Sequence, residues 1–403
     1  MGRRRVAALL LAPSLAGLTG LSGCSQGGNE TTVVVSPDLT APPSDPGSDD
    51  SSASASAPTE TATDSETDAG SPRFEADGVP DVVGTVATGL QAPWGLDFLP
   101  DGRAVVTERD TARVLVVAPD DSGSGEGTVT EVGTIPEASP RGEAGLLGVA
   151  VSPRFDRDRA LYFYVCTAED NRVVRATLRG DRLGEPRPVL TGIPDGFIHD
   201  GGRLAFGPDG YLYVSTGETG EPSLARDRDS YAGKILRITT DGDPAPGNPF
   251  GTAVWSWGHR NVEGLAFDDR GRLWASEFGQ DTADELNRIV AGEDYGWPVV
   301  EGAGGPAEYA APALTWSTDE ASPAGLAFTD GHLWMAALRG QRLWRIDVSG
   351  NRASDPTAYL VGEYGRLRTV AVAPDGRLWL ATSNRDGRGE PADGDDRILL
   401  IDP

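Results

Sequence analysis

Three histidines stand in a chain of 403 residues, and the surroundings of one of them could do chemistry. His199 lies in Phe197-Ile198-His199-Asp200-Gly201-Gly202-Arg203-Leu204. An imidazole changes charge near neutral pH, so a histidine at the mouth of a cavity can serve as a general base. The segment from Trp255 to Gly264 contains Gly258-His259-Arg260-Asn261. Arg260 and Asn261 set a fork-shaped cation beside an amide, a pair suited to carboxylates and quinone oxygens. The same pattern also reads as a capping cluster between structural units. A third stretch, Glu277-Phe278-Gly279-Gln280-Asp281-Thr282-Ala283-Asp284-Glu285-Leu286-Asn287, is followed by Tyr295-Gly296-Trp297-Pro298. Carboxylates mixed with glycine-rich backbone can hold calcium, which takes carboxylate and carbonyl oxygens alike. The stretch reads equally as an acidic surface loop. His332, in Gly-His-Leu-Trp, reads as an exposed turn residue.

Other chemistries lack their residues. There is no Gly-x-Ser-x-Gly elbow, no Walker A segment, no GxGxxG after a strand and no Cys/His zinc cluster. A net charge of −26 and a pI near 4.4 argue against nucleic acid as a partner, because phosphate binding needs a basic surface. Cys166 ends the apolar run Leu161-Tyr162-Phe163-Tyr164-Val165-Cys166 and reads as a buried, inert thiol.

The elements that must position these groups repeat six times. Each copy is a short apolar strand, a turn of the Pro-Asp-Gly type and a second, aromatic-rich strand, as in Leu204-Ala205-Phe206-Gly207-Pro208-Asp209-Gly210-Tyr211-Leu212-Tyr213-Val214. The third apolar position recurs at residues 98, 151, 206, 267, 328 and 372. A period of about 50 residues built of strands and glycine turns predicts a propeller blade, so the fold class is all-β, a six-bladed β-propeller. Residues 82–89 and 398–401 read as strands that meet in one closing blade and remove the open edges. No amphipathic helix longer than two turns is expected, and Ala283 to Ile289 reads as a single helical turn.

Not all of the chain belongs to that fold. Arg3, Arg4 and Arg5 precede an apolar run ending in Leu21-Ser22-Gly23-Cys24, so residues 1–23 read as a secretory leader. Leu-Ser-Gly-Cys resembles a bacterial lipobox, in which Cys24 is lipidated and holds the protein to the membrane. Residues 24–78 are an acidic Ser/Thr/Pro-rich tether that cannot bury enough apolar surface to fold, leaving 79–403 for the propeller. The expected location is therefore extracytoplasmic and lipid-anchored.

Taken in order, Gly142-Glu143-Ala144-Gly145-Leu146-Leu147-Gly148, His199-Asp200-Gly201-Gly202-Arg203-Leu204, Gly258-His259-Arg260-Asn261, Glu277-Phe278-Gly279-Gln280, Asp284-Glu285-Leu286-Asn287, Tyr295-Gly296-Trp297-Pro298, Leu338-Arg339-Gly340 and Arg366-Leu367-Arg368 resemble the soluble glucose/sorbosone dehydrogenase family. That family consists of six-bladed propellers using pyrroloquinoline quinone (PQQ) and calcium. The resemblance spans about 90 to 402. It implies that His199 is the base that takes a sugar hydroxyl proton as hydride passes to the quinone. It implies that Arg260 and Asn261 contact the quinone oxygens, and that Arg366 and Arg368 hold cofactor carboxylates. Gly279 and Gln280 would give carbonyls to the cofactor's calcium, and Glu285 with the Tyr295 carbonyl would form a second calcium site. Thr318 and Trp316 fall near the cofactor-stacking segment. Arg339 stands where the family usually has a lysine on the cofactor, Gln280 where proline is frequent, Glu143 where an amide often binds sugar, and Ile198 where a polar residue is common.

The reading that follows is PQQ- and calcium-dependent oxidation of an aldose to a lactone, with a small sugar as partner and the electron acceptor unidentified. A non-catalytic sugar- or protein-binding propeller of the cell envelope is the alternative. A propeller lactonase has less support, because its scattered metal ligands cannot be picked out.

Overall fold

The computed structural model describes residues 79–120 and 125–403. The leader, the tether and Cys24 lie outside the described residues. The fold is the expected six-bladed propeller, each blade an antiparallel meander of four strands; the second blade adds the two-residue strand Arg182–Leu183. The inner strands are Pro93–Phe98, Leu146–Val151, Leu204–Phe206, Val262–Phe267, Pro323–Thr329 and Leu367–Val372. Each packs against the next around the ring, and the last packs against the first. Asp81–Ala87 closes the circle by pairing with Ile398–Asp402, with Asp81 opposite Asp402 and Ala87 opposite Ile398.

The repeat explains how the blades adhere. Side chains of a strand alternate between faces, so an inner strand sends neighbours in sequence into opposite inter-blade gaps. Its phenylalanine crosses one gap onto an aromatic of the preceding blade's second strand. Phe206 meets Tyr162 edge-to-face at 5.3 Å, Phe267 meets Tyr213 at 5.1 Å and Phe98 meets Trp379 at 5.0 Å. Such pairs add about 0.5–1.5 kcal/mol beyond the area they bury. The turns need glycine because their last residue is left-handed: Gly210 has φ 79° and donates to the Gly207 carbonyl at 2.9 Å.

Two helices occur among the described residues, Phe155–Asp158 and Ser223–Arg226. The expectation of a helical turn at Ala283 to Ile289 is corrected. Asp284–Ile289 is the third strand of blade 4, paired with Leu273–Glu277 on one side and Leu314–Trp316 on the other. Leu286 and Asn287 are both fully buried, and two ladders of hydrogen bonds outweigh the local helical preference. Cys166 is fully buried, as expected.

Candidate active site

Inner strands leave the mouth of the channel and second strands return to it. Functional side chains therefore sit just before the former and just after the latter. They enclose a cavity of about 260 Å³. Its lining includes Trp94, Glu143, His199, Asp200, Asn261, Glu263 and Gly279, together with six arginines, Arg109, Arg260, Arg339, Arg366, Arg368 and Arg388.

His199 is fixed in an unusual backbone conformation, with φ 58°. Non-glycine residues reach that region rarely and hold it where their surroundings over-determine it. Here the His199 amide donates to Glu143 Oε2 at 2.8 Å, and its carbonyl accepts from the Thr219 amide at 3.1 Å. Gly217 makes this close approach possible, since a Cβ there would sit 1.8 Å from the His199 carbonyl oxygen. The ring bonds through Nδ1 to Glu218 Oε1. A carboxylate only accepts, so Nδ1 carries the hydrogen, and in the neutral ring Nε2 has the free lone pair. Glu218 is 1% exposed. It caps the return of the second strand of blade 3, and its own amide donates to the Arg260 carbonyl at 2.8 Å.

Five of the six arginines have carboxylate partners. Arg366 reaches Asp386 at 2.9 Å, Arg388 reaches Glu143 at 2.9 Å, Arg339 reaches Asp319 at 2.6 Å and Arg109 reaches Asp110 at 2.6 Å, while Arg368 pairs with Glu263. Arg260 has no carboxylate within ion-pair distance; its Nη1 lies 3.4 Å from the Phe278 carbonyl and its buried Nε has no partner. Burial lowers its pKa. Its guanidinium lies 5.4 Å from the Trp297 ring centre. Burial also pushes the Asp200 carboxyl up to about 7, against hydrogen bonds from Asn171 and Gly196. Asn261 spends both ends of its amide on the protein, accepting from Gly201 N at 3.0 Å and donating to Glu263 Oε1 at 3.2 Å.

Next to this cavity is a much smaller one of about 10 Å³, lined by Arg260, Glu277, Gly279, Glu285, Tyr295, Trp297 and Glu301 among others. That is room for one water-sized particle. Glu285 and Tyr295, assigned together from sequence, do meet there. Burial first, and then the neighbouring charge of Glu277, raise the Glu285 carboxyl to about 7. Glu301 Oε1 accepts from the amides of Gln280 at 2.7 Å and of Asp281 and Thr282 at 2.9 Å each. In a trans peptide the carbonyl points opposite to the following N–H. The Gly279 and Gln280 carbonyls are thus turned away from Glu301. Among the described residues no three His, Cys, Asp or Glu side chains converge as metal ligands.

Most expected residues come together and two do not. His199, Glu143, Arg260, Asn261, Gly279, Arg339, Arg366 and Arg368 line the main cavity. Gln280 is exposed beside it, and Thr318 lies in a turn outside the lining. His332 begins the second strand of blade 5, half-buried rather than exposed, with Nδ1 2.9 Å from Asp347 Oδ1. Sequence reasoning missed Trp94, Arg109, Glu218, Glu263, Glu301 and Arg388. For Glu218 and Arg109 a signal existed: each follows a second strand where it returns to the mouth.

Fold and site together define a six-bladed propeller of the enzyme class, with a carboxylate-paired histidine over a cationic cavity. The family model described as Glucose / Sorbosone dehydrogenase matches residues 90–398, and the chain belongs to this family of oxidoreductases. The PQQ-bound form of aldose sugar dehydrogenase from Streptomyces coelicolor is 55% identical, superimposes with a TM-score of 0.78, and covers 81% of this chain and 98% of its own. Aldose sugar dehydrogenase YliI of Escherichia coli is 27% identical over 335 residues, 74% of this chain and 89% of that protein. Quinoprotein glucose dehydrogenase B of Acinetobacter calcoaceticus is 33% identical over 254 residues, 54% of this chain and 52% of that protein.

Proposed function

We propose that the protein oxidises an aldose at its anomeric carbon to a lactone, with PQQ and calcium as cofactors. The observation that carries the reading is a histidine with a free Nε2, held by Glu218, above a cavity walled by arginines. The donor set fits a flat tricarboxylate: buried guanidinium nitrogens of Arg260 and Arg368 have no partner in the protein. Arg366, Arg368 and Arg339 would hold carboxylates, and Arg260 would face the reacting oxygen. PQQ, when bound, supplies a carbon–oxygen electrophile that takes up the hydride.

The chain's own residues handle the proton. His199 Nε2 accepts the anomeric hydroxyl proton as the C–H hydride departs, so the sugar loses two electrons and two hydrogens and becomes a lactone. The Glu218 carboxylate stabilises the imidazolium that forms. Calcium is favoured by two features: the outward-turned carbonyls of Gly279 and Gln280, and the buried Glu277 and Glu285 carboxyls whose repulsion a cation would relieve. Membrane tethering through Cys24 belongs to the same proposal and rests on the sequence.

Reconstitution of the purified protein with PQQ and calcium, followed by dye reduction over a panel of aldoses, tests the chemistry. Calcium should raise the melting temperature of the wild type and not of Glu285→Gln, because a ligand bound only by the native state stabilises it by mass action. Absence of PQQ-dependent turnover would favour the non-catalytic propeller. Cys24→Ala should leave the membrane fraction; a variant that stays there as mature wild type does refutes the anchor.

A further inference from the structure

The channel beneath the cavity is crossed by a cation that neither the cofactor reading nor the repeat requires. Arg203 follows the two glycines after Asp200 and precedes the inner strand of blade 3. Its side chain does not line the upper cavity. It runs across the channel, donating from Nε to the Glu263 carbonyl of blade 4 at 2.8 Å and from Nη2 to Thr369 Oγ1 of blade 6 at 3.2 Å. Thr369 in turn donates to the Trp94 carbonyl at 2.5 Å. The guanidinium lies 4.3 Å from the ring centre of Trp94, and Arg368 lies 5.6 Å from the same ring. Trp94 and Arg368 both line the upper cavity, so Arg203 stands directly behind that lining.

Arg203 is 7% exposed and has no carboxylate within ion-pair distance. The acid whose charge it feels, Glu263, is also ion-paired with Arg368. Burial drags its pKa down to about 9, which still leaves it charged at neutral pH. A buried cation is costly, and here one carboxylate, Glu263, serves two guanidiniums, those of Arg368 and Arg203, so positive charge is in excess behind the lining. A brace alone would not need it, because a neutral donor could bridge the same two oxygens.

We propose that Arg203 is a positioning residue for the cofactor: a fixed positive charge, held behind Trp94 and Arg368, that draws a tricarboxylate onto the lining of the cavity. The proposal rests on the PQQ reading above. It assigns Arg203 a share of cofactor affinity without contact, since charge acts through a poorly screened interior where a contact does not.

The test is PQQ affinity of the metal-loaded apoprotein, measured by isothermal titration, together with the melting temperature of the protein without PQQ. Arg203→Met should weaken PQQ binding by about tenfold or more, the order of magnitude expected when one interior charge is removed from behind the wall of an anion site. Its melting temperature without PQQ should change little, because the hydrogen bonds lost to Glu263 and Thr369 are offset by removing one of two guanidiniums that crowd a single carboxylate. Arg203→Lys keeps the charge and loses the fork, and should bind PQQ within a few-fold of wild type; it also serves if the methionine variant does not fold. Unchanged affinity in Arg203→Met with a lowered melting temperature would make Arg203 a brace and overturn the proposal. So would equal losses of affinity in the lysine and methionine variants. A wild type that binds no PQQ overturns the parent reading, and this one with it.

Discussion

Blades 3 and 4 carry the same device in two versions. In blade 3, His199 precedes the inner strand and bonds through Nδ1 to Glu218, beyond the end of the second strand. In blade 4, His259 precedes the inner strand and its Nδ1 lies 2.9 Å from Glu277 Oε2, at the end of the second strand. The pairs differ at the other nitrogen. His259 Nε2 is capped by Ser256 Oγ at 2.8 Å, its ring stacks 4.5 Å from Tyr295, and it is wholly buried. His199 Nε2 has no protein partner and its side chain is 14% exposed at the cavity. In both blades an imidazole–carboxylate pair ties the residue before the inner strand to the end of the second strand. The two differ in whether the second nitrogen is closed by the protein, as at His259, or left open to a ligand, as at His199.

The comparison breaks if either histidine behaves as its counterpart should. His199→Ala should lower turnover by about 10²–10⁴-fold, the usual worth of a positioned base, while PQQ still binds. His259→Ala should act on the fold, because it strips a partner from the buried Glu277 carboxylate. We expect a loss of about 2–3 kcal/mol in denaturant unfolding, and near-normal turnover from the folded fraction. Glu218→Gln sharpens the contrast by removing the anion that orients His199. A kcat loss of about 10–100-fold is expected, with the melting temperature little changed. The smallest effect concerns Asp200. Its folded carboxyl titrates near 7, above the usual 3.8, because burial penalises the charge. The folded state therefore holds a proton that the unfolded chain releases. This contribution is complete below about pH 4 and is lost as pH rises toward 7, with a slope of at most about 1.4 kcal/mol per pH unit. Asp200→Asn should flatten that part of the stability–pH curve; an unchanged curve would mean that Asp200 is ionised in the native state.

How far the sequence carried follows from what each feature depends on. The blades were legible because the Phe positions and the glycine turns recur with the period of the fold. The closing strands 82–89 and 398–401 followed from the need to remove sheet edges, and their pairing is observed. His199 and Arg260 stood out because inner strands start at the mouth, and Arg366 and Arg368 came from the family resemblance; all four line the cavity. The partners that tune them did not stand out. Glu263 meets Arg368 and Arg388 meets Glu143 only after the ring closes, the partners standing 105 and 245 positions apart in the chain. Glu301 is one acid in a strongly acidic chain, and its role appears once successive amides of 280–283 are seen to converge on it. The strand at Asp284–Ile289 was misread because a short segment shows its period only beside its ladder partners. Thr318 was placed by the family resemblance; it is not among the lining residues and stands in the turn whose next residue, Asp319, pairs with the cavity's Arg339.

The most direct test sets wild type, His199→Ala and His259→Ala side by side. PQQ is titrated into each protein in the presence of calcium, and aldose-dependent dye reduction is then measured at saturating PQQ. The account predicts that His199→Ala binds PQQ like wild type and is nearly inactive, whereas folded His259→Ala binds and turns over. Loss of PQQ binding in His199→Ala, or an equal collapse of turnover in folded His259→Ala, would contradict it.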